Sequence, residues 1–345
     1  MSKSFVLYRL PNQASINYIE SKAIESYNLE FIKSLKGDHF VVAPFKVDSK
    51  TPVIAFPIGD PEILTEDELL KYDLPYDERR VFGLKETTEK EYKNIVSIQS
   101  FKMKSGSYDK LVLSRVKRLK REKQSLRKIF LDLSKAYPTA FVYLLQLTNG
   151  QLWCGASPET LASYEDGKFK TMALAGTQIL DEKEPNAMEW QEKELDEQKW
   201  VQNAIEDSFK KTKVSFSKSD PYTSQAGHLA HIKTDFTAKC SIKQASQFVI
   251  NLHPTPAVCG TPKQETQNEI FQIEKHNRYY YSGYLGLYSP QQFNLFVNLR
   301  CMLIDPLYFY LFVGGGLTKD SDPLLEWQET ENKAQTLSSI IDGLQ

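Results

Sequence analysis

Two carboxylates and an amine follow a run of glycines near the end of the chain. Residues 314–316 are all glycine and come directly after the apolar segment YFYLFV. In the helix-like segment EWQETENKA that follows, Glu326, Glu329 and Lys333 are spaced i, i+3 and i+7, so they share one helix face. A turn of bare backbone beside these groups could form an anion site next to a cation site. A solvated helix with a Glu–Lys pair is the alternative interpretation.

Further charged residues interrupt segments that otherwise resemble strands. Lys110 begins the strand-like segment KLVLSR, and Arg300 lies inside an apolar run. Glu159 comes just after a strand end, because Pro158 breaks the pairing there. An arginine in an apolar strand needs a partner, and an anionic ligand is one candidate. A lone lysine at the start of a strand is more often solvated, so the local pattern does not decide whether Lys110 is a solvated or a functional residue.

Two more candidate groups belong to the middle of the chain. The pattern over residues 186–210 predicts a long helix that carries Glu194 and Glu197, three residues apart. A charged surface helix is the simpler interpretation of that pair. The polar residues 210–227 predict a loop, and HLAHIKTDFTAK then predicts a strand with His231 on its buried side.

The elements that would position these groups alternate between helix and strand. Hairpins and a three-strand meander, YYYSGYLGLYSP, FNLFVNLRCMLID and LYFYLFVGGG, indicate antiparallel sheets, and FKTMALAGT predicts a strand that ends at Gly176–Thr177. Paired strands joined by hairpins favour an α+β fold over βαβ units. We expect a single domain over residues 1–345, in which residues 1–85 complete the sheets and residues 86–345 carry the motifs.

Composition restricts the class of protein. The chain has 345 residues, 41% hydrophobic and 25% charged, and its formal net charge is −1. This balance gives no reason to expect a nucleic-acid or anionic-membrane partner. The N-terminus has no signal-peptide core and no apolar run is long enough for a membrane span, so we expect a cytoplasmic protein with reduced cysteines.

Nine short motifs occur in one order: KLVLSR, SPETL, ALAGT, KELDEQ, HIKTDF, HPTPAVCGTPK, RYYYSGYLG, LRC and GGGLTKDSDPLLEWQETENKA. Together they resemble the chorismate-utilising enzymes, which include isochorismate, salicylate, anthranilate and aminodeoxychorismate synthases. The match runs from about residue 85 to the end. It implies two large antiparallel β-sheets packed face to face, with helices outside and the active site between the sheets.

The resemblance also implies how ligands are held. Mg²⁺ would bridge the ring carboxylate of chorismate to Glu197 and Glu329, with Glu326 nearby through water. Hard Mg²⁺ favours such carboxylate oxygens. The usual Glu-His pair of the family reads Glu197-Gln198 here. The metal ligand is kept, but the resemblance does not indicate what the residue next to it contacts.

The resemblance also implies which residues would bind chorismate itself. Arg300 and Tyr281 would hold the enolpyruvyl carboxylate, together with backbone N–H groups around Gly314 and Gly316. Lys333 would add positive charge at the ring carboxylate. The remaining positions that the resemblance places at the substrate are Gly176, Thr177, His231, Ala257 and Val258.

The position of Lys110 separates the family members. Ammonia-using synthases resemble this chain but carry Gln there, and aminodeoxychorismate synthases typically have a lysine where Ala175 stands. The resemblance is therefore strongest to isochorismate synthase, in which Lys110 would activate water and Glu159 would protonate the leaving hydroxyl. Salicylate synthase and a non-catalytic chorismate-binding protein remain alternatives. No glutaminase subunit is expected, and the product could serve menaquinone or siderophore synthesis.

Overall fold

The computed structural model describes residues 4–343, apart from 78–79, 123, 181–187 and 227–228. Two large antiparallel sheets form the framework, as the resemblance implied. The first sheet contains, in spatial order, β15 (Gly260–Thr261), β7 (Lys110–Lys120), β19 (Tyr308–Leu317), β18 (Cys301–Ile304), β9 (Leu152–Ser157), β8 (Phe141–Gln146), β1 (Phe5–Arg9), β2 (Ile16–Glu20) and β6 (Glu62–Leu64).

Among the described residues, the second sheet has one strand more than the first. It contains, in spatial order, β12 (Phe216–Lys218), β14 (Leu229–Lys239), β11 (Lys168–Ile179), β10 (Thr160–Glu165), β17 (Phe293–Val297), β16 (Tyr284–Tyr288), β4 (His39–Ala43), β5 (Val53–Pro57) and β3 (Ile24–Ser26), while β13 (Tyr222–Ala226) also pairs with β14. Both sheets include strands from the first 85 residues. We infer from this sharing that the N-terminal strands and the motif-bearing region form one domain.

Helices cover the outer faces of the sheets. They are α1 (Glu66–Lys71), α2 (Glu89–Lys104), α3 (Leu126–Ala136), α4 (Glu192–Thr212), α5 (Ile242–Leu252), α6 (Lys263–Ile273), α7 (Pro323–Asp342) and a 3-10 helix (Leu29–Ser34). Helix α7 begins sharply because the Asp322 side chain accepts hydrogen bonds from two backbone N–H groups and Pro323 occupies the first turn. Among the described residues, no helix has the length and apolarity needed to cross a membrane.

The core between the sheets is rich in aromatic side chains. The rings of Phe141 in β8 and Phe296 in β17 stack with centroids 4.5 Å apart, which joins one sheet to the other. Tyr8 and Phe40 form a similar contact at 5.6 Å. Such pairs bury large apolar areas and prefer offset or tilted geometry. This packing holds the two sheets together beside the end at which the charged residues collect.

The predicted secondary structure was wrong at residues 210–227 and at the end of one strand. Residues 210–227 do not form only a loop, because β12 and β13 lie within that stretch and pair with β14. Their side chains are largely polar and accessible, so they lack the apolar alternation from which a strand is recognised. In addition, the strand predicted to end at Gly176–Thr177 continues to Ile179, with a register shift between Ala175 and Thr177.

The predicted three-strand meander is divided between the two sheets. β17 pairs with β16 in the second sheet, whereas β18 pairs with β19 in the first. Residues 298–300 make the crossing, so Arg300 lies between strands rather than inside one, with φ of +47°. Few non-glycine residues adopt this backbone conformation, and it is concentrated at functional positions.

Candidate active site

Most of the charged residues singled out in the sequence surround one cavity between the two sheets. Its volume is about 120 Å³, and it opens to solvent. Strands β7 and β19 contribute from the first sheet, β11 and β14 from the second, and helices α4 and α7 complete the wall. The predicted site residues that line it are Lys110, Glu159, Gly176, Glu197, His231, Ala257, Val258, Tyr281, Arg300, Gly314, Gly316, Glu329 and Lys333.

Two predicted residues fall outside this set. The backbone of Thr177 pairs with His231 across β11 and β14, but its side chain lies outside the described residues. Glu326 is buried just behind the wall, where its Oε1 accepts hydrogen bonds from Lys193 Nζ at 2.9 Å and Ser321 Oγ at 2.6 Å. Its role near the cavity is therefore indirect in this structure.

The glycine run does not form the turn that the sequence suggested. Residues 314–316 continue β19 and pair in register with Ser114, Leu113 and Val112 of β7. The missing side chains instead make room for charged groups above the strand. A Cβ on Gly316 would lie 2.9 Å from Lys110 Cε and 3.1 Å from Glu197 Oε1. Glycine is therefore needed here for close approach and not for a positive φ.

Lys110 is buried at the first position of β7, so the solvated interpretation was wrong. The side chain is 3% exposed, and its Nζ lies 3.8 Å from Glu197 Oε2. The side chain lies over Gly316, and the backbone edge of β7 pairs with β15 at Thr261. A buried amine without a full set of partners is costly, and such groups are enriched at functional sites.

Helix α4 brings Glu197 to Lys110. The next residue, Gln198, points into the protein, where its Nε2 donates to Ala173 O at 3.2 Å and to Thr234 Oγ1 at 3.0 Å. These bonds fasten α4 to β11 and β14. Gln198 is absent from the cavity wall, so the departure from the usual Glu-His pair changes a contact between the helix and the sheet.

Glu159 has the environment of a carboxylic acid that holds its proton. It follows β9, and its backbone O accepts a hydrogen bond from Val297 N at 2.9 Å. The side chain retains some access to the cavity, but the surrounding protein raises its pKa to about 7 by burial, against the opposing charges of Lys110, Lys333 and Arg300. A carboxyl group in this range can donate a proton near neutral pH.

Arg300 and Lys333 form a cationic side of the cavity. Arg300 Nη1 donates to Thr336 Oγ1 at 2.7 Å and to Lys333 O at 3.3 Å, which anchors the guanidinium to α7. Lys333 Nζ donates to Gly314 O at 3.0 Å and to Glu329 Oε1 at 2.5 Å. Within the described residues, the hydrogen bonds of Arg300 come from Nη1, which leaves the other donors of its planar fork for a ligand.

His231 and Tyr281 are neutral parts of the wall. Burial, reinforced by the charges of Arg300 and Lys333, lowers the pKa of His231 to about 4. Its Nδ1 lies 3.2 Å from Gly176 O. Burial raises the pKa of Tyr281 to about 12, so its hydroxyl keeps its proton at neutral pH. Both side chains can therefore offer polar contacts to a ligand without adding charge.

The carboxylates supply some of the oxygen ligands that a divalent ion needs. Glu326 Oε2 is buried without a hydrogen-bond partner among the described residues, and a Cβ on Gly315 would lie 3.2 Å from it and 3.6 Å from Glu329 Oε1. The described residues contain no preassembled cluster of three or more His, Cys, Asp or Glu ligands. This donor set suits Mg²⁺, which uses one or two carboxylates and takes its other ligands from substrate and water.

Several wall residues had no signal of their own in the sequence. The apolar side chains Val112, Leu174, Leu299, Phe312 and Val313 line the cavity between the charged groups. Val112 could have been inferred, because it is two residues from Lys110 on the same strand face. Lys193, which pairs with Glu326, was also missed, although it lies four residues before Glu197 on one helix.

Comparisons with known proteins agree on one family. Isochorismate synthase EntC from Escherichia coli (strain K12) is 28% identical over 243 residues, which is 68% of this chain and 62% of that protein. Anthranilate synthase component 1 from Aquifex aeolicus (strain VF5) is 26% identical over 74% of this chain and 53% of that protein. The chain thus spans less than two thirds of the length of these curated relatives.

A solved structure shares the fold. MenF, the menaquinone-specific isochorismate synthase from Escherichia coli, superposes with a TM-score of 0.80 at 18% identity, covering 98% of this chain and 88% of that one. At this identity the likeness concerns the fold alone. A family profile described as "Chorismate binding enzyme" matches residues 62–342, and the chain therefore belongs to the chorismate binding enzymes.

Proposed function

We propose that this protein is an isochorismate synthase, an isomerase that converts chorismate to isochorismate. The observation that carries the proposal is the shared cavity of a buried lysine, Lys110, and a partly buried carboxyl group, Glu159, whose pKa burial raises to about 7. A base and a proton donor are what the addition of water and the loss of a hydroxyl require. Membership of the family supplies the substrate class.

The charges of the cavity suit a small dicarboxylate. Arg300 and Lys333 offer cationic donors on one side, and Tyr281 adds a neutral hydroxyl. We propose that Arg300 and Tyr281 bind the enolpyruvyl carboxylate and that Lys333 faces the ring carboxylate. Because Lys333 already bonds Glu329, an incoming carboxylate would have to share or displace that contact.

Mg²⁺ would be held by Glu197 and Glu329, with Glu326 behind them. When bound, the ion would neutralise the ring carboxylate and offset the repulsion between it and these glutamates. The lysines perform part of that task in this structure, since Lys110 faces Glu197, Lys193 bonds Glu326 and Lys333 bonds Glu329.

The reaction then divides between two side chains. Lys110, neutral when it acts, accepts a proton from the water whose oxygen bonds to ring C2. The ring double bonds shift, the C4–O bond breaks, and Glu159 supplies the proton with which the hydroxyl leaves as water. One water enters and one leaves, so the product is an isomer of the substrate. Each positioned proton transfer contributes about 10²–10⁴-fold in rate.

Members of the family differ in the nucleophile that attacks chorismate. The similarity to an anthranilate synthase makes ammonia the second candidate nucleophile. Lys110 favours water, because an amine can act as the base that water needs. Ala175 in the cavity wall gives no second amine at that place. We therefore propose that the chain acts without a glutaminase subunit.

The test is product analysis with purified full-length protein, chorismate and Mg²⁺. Isochorismate as the product supports the proposal. Salicylate with pyruvate would assign a salicylate synthase, and anthranilate formed with ammonium would assign ammonia chemistry. Binding of chorismate without any turnover would indicate a non-catalytic member of the family.

A further inference from the structure

A buried ion pair lies directly behind the cavity wall. Arg278 and Glu274 have side chains only 3% and 2% exposed, and their bonds form a fork of Nη2 to Oε1 at 2.6 Å and Nε to Oε2 at 2.8 Å. Burying two charges carries a large desolvation cost, which their attraction offsets only when the geometry is good. A pair in this position therefore calls for an explanation beyond stability.

The remaining bonds of the pair reach two separate segments of the cavity wall. Arg278 Nη1 donates to Val258 O at 2.8 Å, and its Nη2 donates to Val112 O at 2.7 Å. Glu274 Oε1 accepts from Ser114 N at 2.7 Å. The pair thus connects strand β7 to the loop before β15, on the side of the wall away from the ligand.

These anchor points are next to the groups that would react. Val112 and Val258 both line the cavity, and Val112 follows Lys110 by two residues on the same face of β7. Val112 and Ser114 are also the register partners of Gly316 and Gly314. A shift of β7 would consequently move Lys110 relative to Glu159, which belongs to a different strand end.

We propose that the Arg278–Glu274 pair is a positioning unit that fixes Lys110 against the substrate by holding the carbonyls of Val112 and Val258. The pair touches neither the substrate nor the reacting atoms. The proposal rests on the proposed function of the cavity. Arginine suits this place because its planar fork serves a carboxylate and two carbonyls at once, which the single ammonium of lysine cannot do. A misplacement of about 1 Å far from the chemistry can cost about 10²-fold in rate.

Arg9 provides a matched control. It is also buried and donates to backbone carbonyls, among them Pro138 O at 2.9 Å and Tyr137 O at 2.8 Å, but none of its partners lines the cavity. Arg9→Lys disrupts bonds to backbone carbonyls only, whereas Arg278→Lys disrupts two carbonyl bonds and the fork to Glu274. Both variants should lose thermal stability, so a difference in catalysis separates positioning from packing.

The experiment compares both variants with the wild type by kinetics and by amide hydrogen exchange. We expect Arg278→Lys to lower kcat at least about tenfold while KM changes much less, and Arg9→Lys to keep kcat within about twofold. Exchange at Val112 N–H and Ser114 N–H should accelerate in Arg278→Lys alone. Equal kinetic losses in the two variants, or unchanged exchange at both amides, would overturn the proposal.

The two readouts separate this proposal from the proposed function. Wild-type turnover of chorismate tests the function, while the exchange data test the positioning unit even if another substrate is used. If Arg278→Lys does not fold, Glu274→Gln is measured instead, because it keeps the side-chain shape and removes the charge. We expect the same localised increase in exchange in that variant, and protection as in the wild type would contradict the proposal.

Discussion

Lys110 Nζ lies 3.8 Å from Glu197 Oε2, although one residue begins a strand of the first sheet and the other belongs to the helix that covers the second. The approach is possible because Gly316 has no side chain between them. The proposed base is thereby held by a proposed metal ligand. A cation bound at Glu197 would compete with Lys110 for that carboxylate.

Replacing Lys110 by glutamine tests the choice between water and ammonia. Glutamine is similar in length but cannot act as a base at neutral pH. We expect Lys110→Gln to bind chorismate while isochorismate formation falls by about 10²–10⁴-fold. Calorimetric binding and product assays would check this. Hydration at a near-normal rate would remove Lys110 from the mechanism, as would anthranilate formation by the wild type with ammonium.

Glu159 should impose an alkaline limit on activity. Because burial raises its pKa to about 7, the proton donor is lost as the pH rises through that value, and kcat should fall above it. Glu159→Gln cannot donate the proton and should be nearly inactive at every pH. A kcat that is independent of pH between 6 and about 9 in the wild type would contradict this role.

The same pKa shift predicts a change in stability with pH. A carboxyl group whose pKa is higher in the folded than in the unfolded state stabilises the fold below the unfolded value of 4.5, and the contribution disappears as the pH rises through about 7. The free energy of unfolding of the wild type relative to Glu159→Gln should therefore decrease between those values. Urea unfolding at several pH values measures it, and a constant difference would argue against the shift.

Metal dependence tests the carboxylate cluster. EDTA should abolish activity and Mg²⁺ should restore it, because Glu197, Glu329 and the substrate carboxylate repel one another without a cation. Glu197→Ala and Glu329→Ala should lose most activity and remain folded. Glu192→Ala, at an exposed position of the same helix as Glu197, is the control and should remain active. Full turnover in EDTA would refute the metal assignment.

Arg300 should matter for substrate capture more than for folding. Its fork can hold a carboxylate by two hydrogen bonds, and hydrogen bonds to charged groups contribute about 1.5–3 kcal/mol. We expect Arg300→Lys to lower kcat/KM about tenfold to a hundredfold, with little change in the unfolding temperature. Unchanged kinetics would leave Arg300 as a structural partner of Thr336.

Substitution of Gly316 tests whether the site depends on the absence of a side chain at this position of β19. The three atoms nearest to an alanine Cβ would belong to the flexible ends of Lys110 and Glu197, so Gly316→Ala should fold but displace both groups and reduce kcat. Gly59→Ala is the control, since its Cβ would meet no atom within 4 Å. A fully active Gly316→Ala variant would show that the close approach at this glycine is dispensable.

The sequence alone determined the fold class, the family and most of the charged residues that collect in the cavity. Motif order and strand–hairpin patterning carried that information, because they depend on neighbours along the chain. It could not determine that the glycines continue β19 or that the meander divides at Arg300, because both depend on which sheet each strand joins. The burial of Lys110, the pKa of Glu159 and the anchoring by Arg278 arise from contacts between residues distant in sequence, which only the tertiary structure brings together.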